Sequence, residues 1–194
     1  MVIMKKQIRK RSENKMNDEY DIDIFDPIED DIERYIERFT LAPELWRKFD
    51  ISDLNVDISN WVKIKLIVNG KFSSELSQIP SEFGGIYIYS IEPHIIPNVG
   101  SYVMYIGKAT KTSSQNLRKR VQSYHKYLTD DSRERLHRLF KKWGEYVYVS
   151  YLSVNKDAEI ITALEDRLIG TFGKPPCNSE MKIKSIKKAV RAFN

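Results

Sequence analysis

Alternating and helically spaced apolar positions divide this chain into distinct stretches. Residues 61–72 (WVKIKLIVNGKF) alternate apolar and polar side chains around Asn69-Gly70, a turn signal, and predict strand. Residues 85–91 and 102–106 predict two more strands, separated by a loop that holds Pro93, Pro97 and Gly100. Leu117, Val121, Tyr124 and Leu128 then recur at i, i+4, i+7 and i+11, which is the buried stripe of a helix over 116–128. A second helix over 132–143, a strand over 146–154 and a helix over 157–172 follow, the last stopped by Pro175-Pro176. Upstream, Asp26-Pro27-Ile28-Glu29 reads as a helix start, with Asp26 as N-cap, Pro27 at N1 and Glu29 placed to close a capping box. Ile28, Ile32, Tyr35, Ile36 and Phe39 give that helix one packing face, and a short helix over 42–48 comes after it. The order of elements is that of a mixed α+β fold, and no internal repeat is present.

Composition narrows the class. The chain has 194 residues, 41% hydrophobic and 30% charged, enough to bury a core without staples. Its single cysteine, Cys177, can form no internal disulfide, so a reducing, cytoplasmic setting is the expectation, and a zinc module built on several thiolates is excluded. No apolar run approaches the ~20 residues needed to span a bilayer, so no membrane partner is expected. The first residues lack the apolar core of an export signal.

The net charge of +5 matters less than its distribution. Lys5, Lys6, Arg9, Lys10, Arg11 and Lys15 make a basic arm, and residues 18–33 hold acids and no basic residue. Residues 108–142 are rich in Lys and Arg, and 182–191 carry five positive charges and no negative one. Basic blocks attract polyanions, although any one of them can equally be a solvated helix face. The arm, with few large apolar residues and no period, predicts disorder, and 182–193 predict a basic terminal helix.

Candidate chemistry sits on the paired strands. Side chains alternate, so Tyr87 and Tyr105 are expected on the face opposite the aliphatic set of Ile86, Ile88, Met104 and Ile106. Gly107-Lys108 follows directly: a glycine at a strand end allows close approach, and Lys108 can face what the phenols face. On the next helix Arg120 lies at the edge of the buried stripe, one turn before Tyr124, with no acid at i±3 or i±4, which leaves it free for an anion. Arg118 and His125 flank the stripe's other side, and Lys119 faces away. Glu165 falls inside the apolar stripe of Ile161, Leu164, Leu168 and Phe172. A carboxylate there needs a reason, either a metal ion or an ion pair with Lys108 or an arginine, and the residues leave both open.

Gly85-Ile86-Tyr87, Tyr105-Ile106-Gly107, Leu117-x-x-Arg120, Glu165 and Asn178, in that order, resemble the signature of the GIY-YIG nucleases. Residues 105–109 with 116–124 are similar to the nuclease module of UvrC-type excision enzymes, and the resemblance covers about residues 79–180. It implies a small three-stranded antiparallel sheet flanked by helices, and hydrolysis of DNA phosphodiesters with one divalent ion, Mg²⁺ or Mn²⁺. By position, Glu165 is then the metal ligand, Arg120 the group that stabilises phosphoryl charge, and Tyr87 or Tyr105 the aid to the attacking water, with help from Lys108. Tyr124 stands where the family carries His or Tyr against the scissile phosphate, and Asn178 is structural or orients substrate. Lys111, Arg118, Lys119 and His125 are the candidate nucleic-acid contacts. Tyr87, Tyr105, Arg120 and Glu165 are expected to gather around one phosphate in a shallow basic groove.

The loop between the tyrosine motifs and the run 110–116 are longer than in compact members, and 132–142 look like an inserted basic helix. The expected layout is a basic and acidic arm over 1–24, an N-terminal extension packed on the core over 25–78, a nuclease core over 79–180 and a basic helix over 181–194. That layout is similar to GIY-YIG restriction endonucleases. Because one active site cuts one strand, double-strand cleavage implies a homodimer, and restriction implies a companion methyltransferase or another defence-system protein. The alternatives are a repair or mobile-element nuclease, marked by activity confined to flaps or forks, and a non-catalytic protein that keeps the fold to bind nucleic acid or a partner. A further idea, that the acids of 18–33 dock on the basic surface as an autoinhibitor, is testable by deleting residues 1–34.

Overall fold

Strand-forming runs rich in Ile, Val and Tyr assemble here into one antiparallel sheet. A computed structural model describes residues 37–96 and 99–179. The basic arm, the capped helix start at Asp26 and the basic helix over 182–193 lie outside the described residues. In chain order the elements are α1 (Pro43–Lys48), β1 (Val62–Lys65), β2 (Ile67–Val68), β3 (Lys71–Phe72), β4 (Gly84–Ile91), β5 (Tyr102–Ala109), α2 (Leu117–Gln122), α3 (Glu134–Trp143), β6 (Val147–Val154) and α4 (Ala158–Thr171). The main sheet runs β1-β6-β4-β5, every neighbouring pair antiparallel, and β2 and β3 form a separate two-stranded ribbon. The fold is thus mixed α+β, with no helix among the described residues long and apolar enough to cross a membrane.

Three expectations change. The sheet has four strands, because the N-terminal extension supplies β1, whose Ile64 lies opposite Val149 of β6. Leu66, Ile67 and Leu76 of that extension are buried with the main core, so it completes the fold and is no appendage. The helix expected over 116–128 turns into a 3₁₀ helix at Ser123–Leu128. With three residues per turn, Tyr124 and Tyr127 share one face, so Tyr127 is buried and Leu128 is left half-buried. Phe39, expected on the apolar face of the first helix, lies in non-helical chain with its ring 5.7 Å from Tyr102.

Helices cover both faces of the sheet. On one, Tyr87, Tyr89, Val149 and Tyr151 pack with Leu117, Val121 and Tyr124 and with Leu136, Leu139 and Phe140 of α3. On the other, Ile86, Ile106 and Leu152 pack with Ile161 and Leu164 of α4. The tyrosine face is therefore not an open surface. Strict alternation also fails on β5, where a register shift between Tyr89 and Ser90 pairs Tyr89 with Tyr105 but Ser90 with Val103. Met104 is the extra residue of this bulge, and it joins the tyrosine side instead of the Ile106 side.

Candidate functional site

Two glycines decide how closely the strands and rings approach. Gly85 has φ +152°, and a Cβ there would collide with the Leu152 carbonyl of β6. Gly107 lies opposite Tyr87, and its missing side chain makes room for that ring: a Cβ would sit 2.5 Å from the Tyr87 Cζ and hydroxyl and 2.8 Å from the Tyr105 ring. Tyr87 consequently lies across β5, the edge strand, instead of standing off it.

Three phenols meet there. The Tyr124 hydroxyl shares hydrogen bonds with Tyr87 at 2.7 Å and with Tyr105 at 2.9 Å. Asn116 positions Tyr124 by capping α2, its Oδ1 accepting from the Lys119 amide at 2.8 Å. Tyr87 and Tyr124 are fully buried and Tyr105 only partly, so Tyr105 is the member of the trio that water can reach. Burial pushes the Tyr87, Tyr89 and Tyr105 phenols well above the ordinary phenol range, with neighbouring phenols adding to the effect for each. These groups hold their protons near neutral pH.

Arg120 lies over the Tyr124 ring, its Cζ 5.2 Å from the centroid. Burial works against its charge, but Tyr87, Tyr124 and Tyr105 outweigh that and raise its pKa. Among the described residues no carboxylate forms an ion pair with it, as its helix position predicts. Three hydroxyl protons serve only two mutual hydrogen bonds, so one O–H remains to donate outward. Tyr87 is sealed and Tyr105 is not, so the arrangement that strands no buried O–H has Tyr87 donating to Tyr124, Tyr124 donating to Tyr105, and the Tyr105 hydroxyl directed outward.

Lys108 and Glu165 form a second group. Lys108 pairs with Ile86 and so faces α4, away from Tyr87 and Gly107. Its Nζ lies 3.2 Å from Glu165 Oε2 and donates to Thr162 Oγ1 at 2.8 Å. The pair is not sealed: the two side chains are 24% and 14% exposed. No described contact joins this pair to the phenols. The expected single groove is instead two clusters on opposite faces of β5, the last strand of the sheet.

Asn178 closes part of that edge. Its Oδ1 accepts from the Ile106 amide at 3.0 Å and its Nδ2 donates to the Ile106 carbonyl at 2.8 Å, so one side chain replaces a missing strand. The Cys177 amide adds a bond to the Met104 carbonyl at 2.8 Å. Burial pushes the Cys177 thiol up to about 12, which marks it as inert packing.

The remaining candidates disperse. Arg118 is half-buried, its Nε donating to the Ile79 carbonyl at 2.5 Å, a tether between α2 and the extension. Lys111 and Lys119 are exposed, their Nζ atoms on the carbonyls of Ser81 and Ser114 at 2.8 and 3.3 Å. His125 is exposed, its ring 6.5 Å from that of Phe72. Arg133, which the sequence did not single out, joins the phenols from the turn before α3, its Cζ 5.7 Å from the Tyr127 ring.

Among the described residues no three His, Cys, Asp or Glu side chains cluster as a metal cage. Glu165 could still hold a divalent ion, since Mg²⁺ is commonly bound through one or two carboxylates with waters and phosphate oxygens completing the octahedron. The Lys108 ammonium already stands as a cation beside that carboxylate, and a divalent ion would displace it. No protein-family model, no curated protein and no solved structure matches this chain.

Proposed function

We propose that the chain is a divalent-metal-dependent endonuclease of the GIY-YIG type that hydrolyses DNA phosphodiesters, in a restriction or anti-phage role. The observation that carries this reading is the meeting of Tyr87, Tyr105, Tyr124 and an acid-free Arg120 at the edge of β5, with Tyr87, Tyr105 and Arg120 each at its place in the five-part signature.

In this reading Arg120 binds a phosphoryl oxygen and meets the charge that develops on it, its fork suited to an oxyanion. Exposure selects Tyr105 over Tyr87 as the phenol beside the attacking water. Its raised pKa makes it a donor that orients that water rather than the base that deprotonates it. Tyr87 and Tyr124 fix the direction of the Tyr105 hydroxyl from behind. Glu165 holds the metal ion, which when bound supplies positive charge to the phosphate and a more acidic water. Lys108 balances the carboxylate until then, and Asn178 holds the strand from which Tyr105 and Lys108 diverge.

The Lys108–Glu165 contact favours a second reading, in which Glu165 is only an ion-pair partner and the protein binds nucleic acid without turnover. Incubation with supercoiled plasmid and Mg²⁺, with Glu165→Gln and Arg120→Ala alongside, separates the two. Nicking that needs metal is expected for the native chain and absent from both variants. Thermal melting alongside checks that Glu165→Gln, whose side-chain carbonyl can still accept from Lys108, remains folded. A Glu165→Gln variant that cuts normally, or a native chain that never cuts, removes the enzymatic reading. Discrete fragments favour restriction, and cutting confined to flaps or forks favours repair.

A further inference from the structure

We infer that Arg133 is a second phosphate-binding group at the tyrosine cluster, so that the site takes a nucleic-acid backbone between two guanidiniums. The role of the cluster as a phosphodiester site rests on the proposed function, whereas the pairing of Arg133 with Arg120 comes from the geometry. The Arg133 Cζ lies 6.0 Å from the centre of the Tyr124 ring, and Arg120 approaches the same ring to 5.2 Å. Arg133 also bears on Tyr105, the one phenol of the trio that is open to water. Two cations thus approach the ring whose hydroxyl bonds Tyr87 and Tyr105.

Acids are near in sequence, but none of the described ones pairs with Arg133. Asp130 Oδ1 accepts from the Ser132 amide at 2.8 Å, and among the described residues Arg133 forms no ion pair with Asp130, Asp131 or Glu134. Like charges gathered without a counterion are stabilised by an anion that enters from outside. The Tyr105 hydroxyl, placed by Tyr124, supplies a neutral donor between them. One anionic oxygen can thus meet Arg120 and Tyr105 while a second meets Arg133. The forked donors of arginine suit such oxygens better than lysine does. A guanidinium that merely covers Tyr124 and Tyr127 as packing would look similar in shape but not in ligand response.

The test compares Arg133→Met, which keeps an apolar stem over the rings, with Arg133→Lys and the native full-length chain. Binding of a fluorescent DNA duplex is measured in EDTA over a salt series, beside thermal melting. Arg133→Met should raise Kd about tenfold near ~0.1 M salt and lower the slope of log K against log salt by about one. Arg133→Lys should keep the slope, and both should melt with the native chain. An unchanged slope in Arg133→Met, or a lowered melting temperature as its only effect, overturns the inference, as does a native chain that binds no duplex. A native chain that never cuts, combined with the lowered slope, leaves the clamp standing and removes only the nuclease reading.

Discussion

Tyr124→Phe deletes one oxygen atom and leaves the aromatic packing in place, so it isolates the hydrogen-bonded hub. The lost hydroxyl bonds Tyr87 at 2.7 Å and Tyr105 at 2.9 Å. Each internal hydrogen bond is worth about 1 kcal/mol net, but the two partners respond differently. Tyr105 is partly exposed and can turn to water. Tyr87 is fully buried, and its orphaned hydroxyl carries a desolvation penalty of roughly 1–3 kcal/mol. The variant should therefore lose about 2–3 kcal/mol, a fall of roughly 4–12 °C in melting temperature for a chain of 194 residues. Urea unfolding followed by circular dichroism gives the free energy directly. The sharper measurement is the cycle with Tyr87→Phe: removing both hydroxyls leaves no orphan between them, so the double variant should be at least ~1 kcal/mol more stable than additivity requires. A Tyr124→Phe protein within about 0.5 kcal/mol of native, or an additive cycle, would refute the hub.

Three further outcomes follow from the same face. The Tyr89 hydroxyl is buried and has no hydrogen-bond partner among the described residues, so Tyr89→Phe should raise stability by about 1 kcal/mol, and a melting point several degrees lower would contradict this. Gly107→Ala should cost about 1–3 kcal/mol, because its methyl must displace the Tyr87 ring; chemical denaturation with no loss would show that the ring moves freely. Stability should fall in alkali: the folded phenols of Tyr87, Tyr89 and Tyr105 titrate above the unfolded value near ~10, so their contribution is intact below ~10 and is lost as pH rises through the folded values. Absorbance at phenolate wavelengths should show these three phenols ionising only with unfolding, whereas their reversible ionisation near ~10 in the folded protein would sink the assignment.

The sequence was most informative where period and packing coincide. Alternation located β4 and β5, and the angular position of Arg120 on its stripe anticipated a guanidinium that pairs with no described acid. Three things depended on distant contacts and could not be read from period alone. The covering of the tyrosine face follows from α3 folding back over it, which no local pattern announces. The bulge at Met104 breaks the two-residue alternation that placed Met104 with Ile106. Arg133 sits in a turn, where spacing assigns no direction to a side chain. For Glu165, the stripe correctly flagged a carboxylate in unusual surroundings, and Lys108 was already one of the partners considered. Alternation itself sends Tyr105 and Lys108, three residues apart on one strand, to opposite sides, and the expectation that Lys108 faces the phenols ran against it.

Asn178 has a mechanical consequence. Its amide grips both backbone groups of Ile106, the residue between Tyr105 and Gly107. The chain that follows α4 is thereby fastened to the spot where both clusters originate. Removing that grip, as in Asn178→Ala, would leave both Ile106 backbone groups without this partner and loosen the stretch of strand from which Tyr105 and Lys108 diverge.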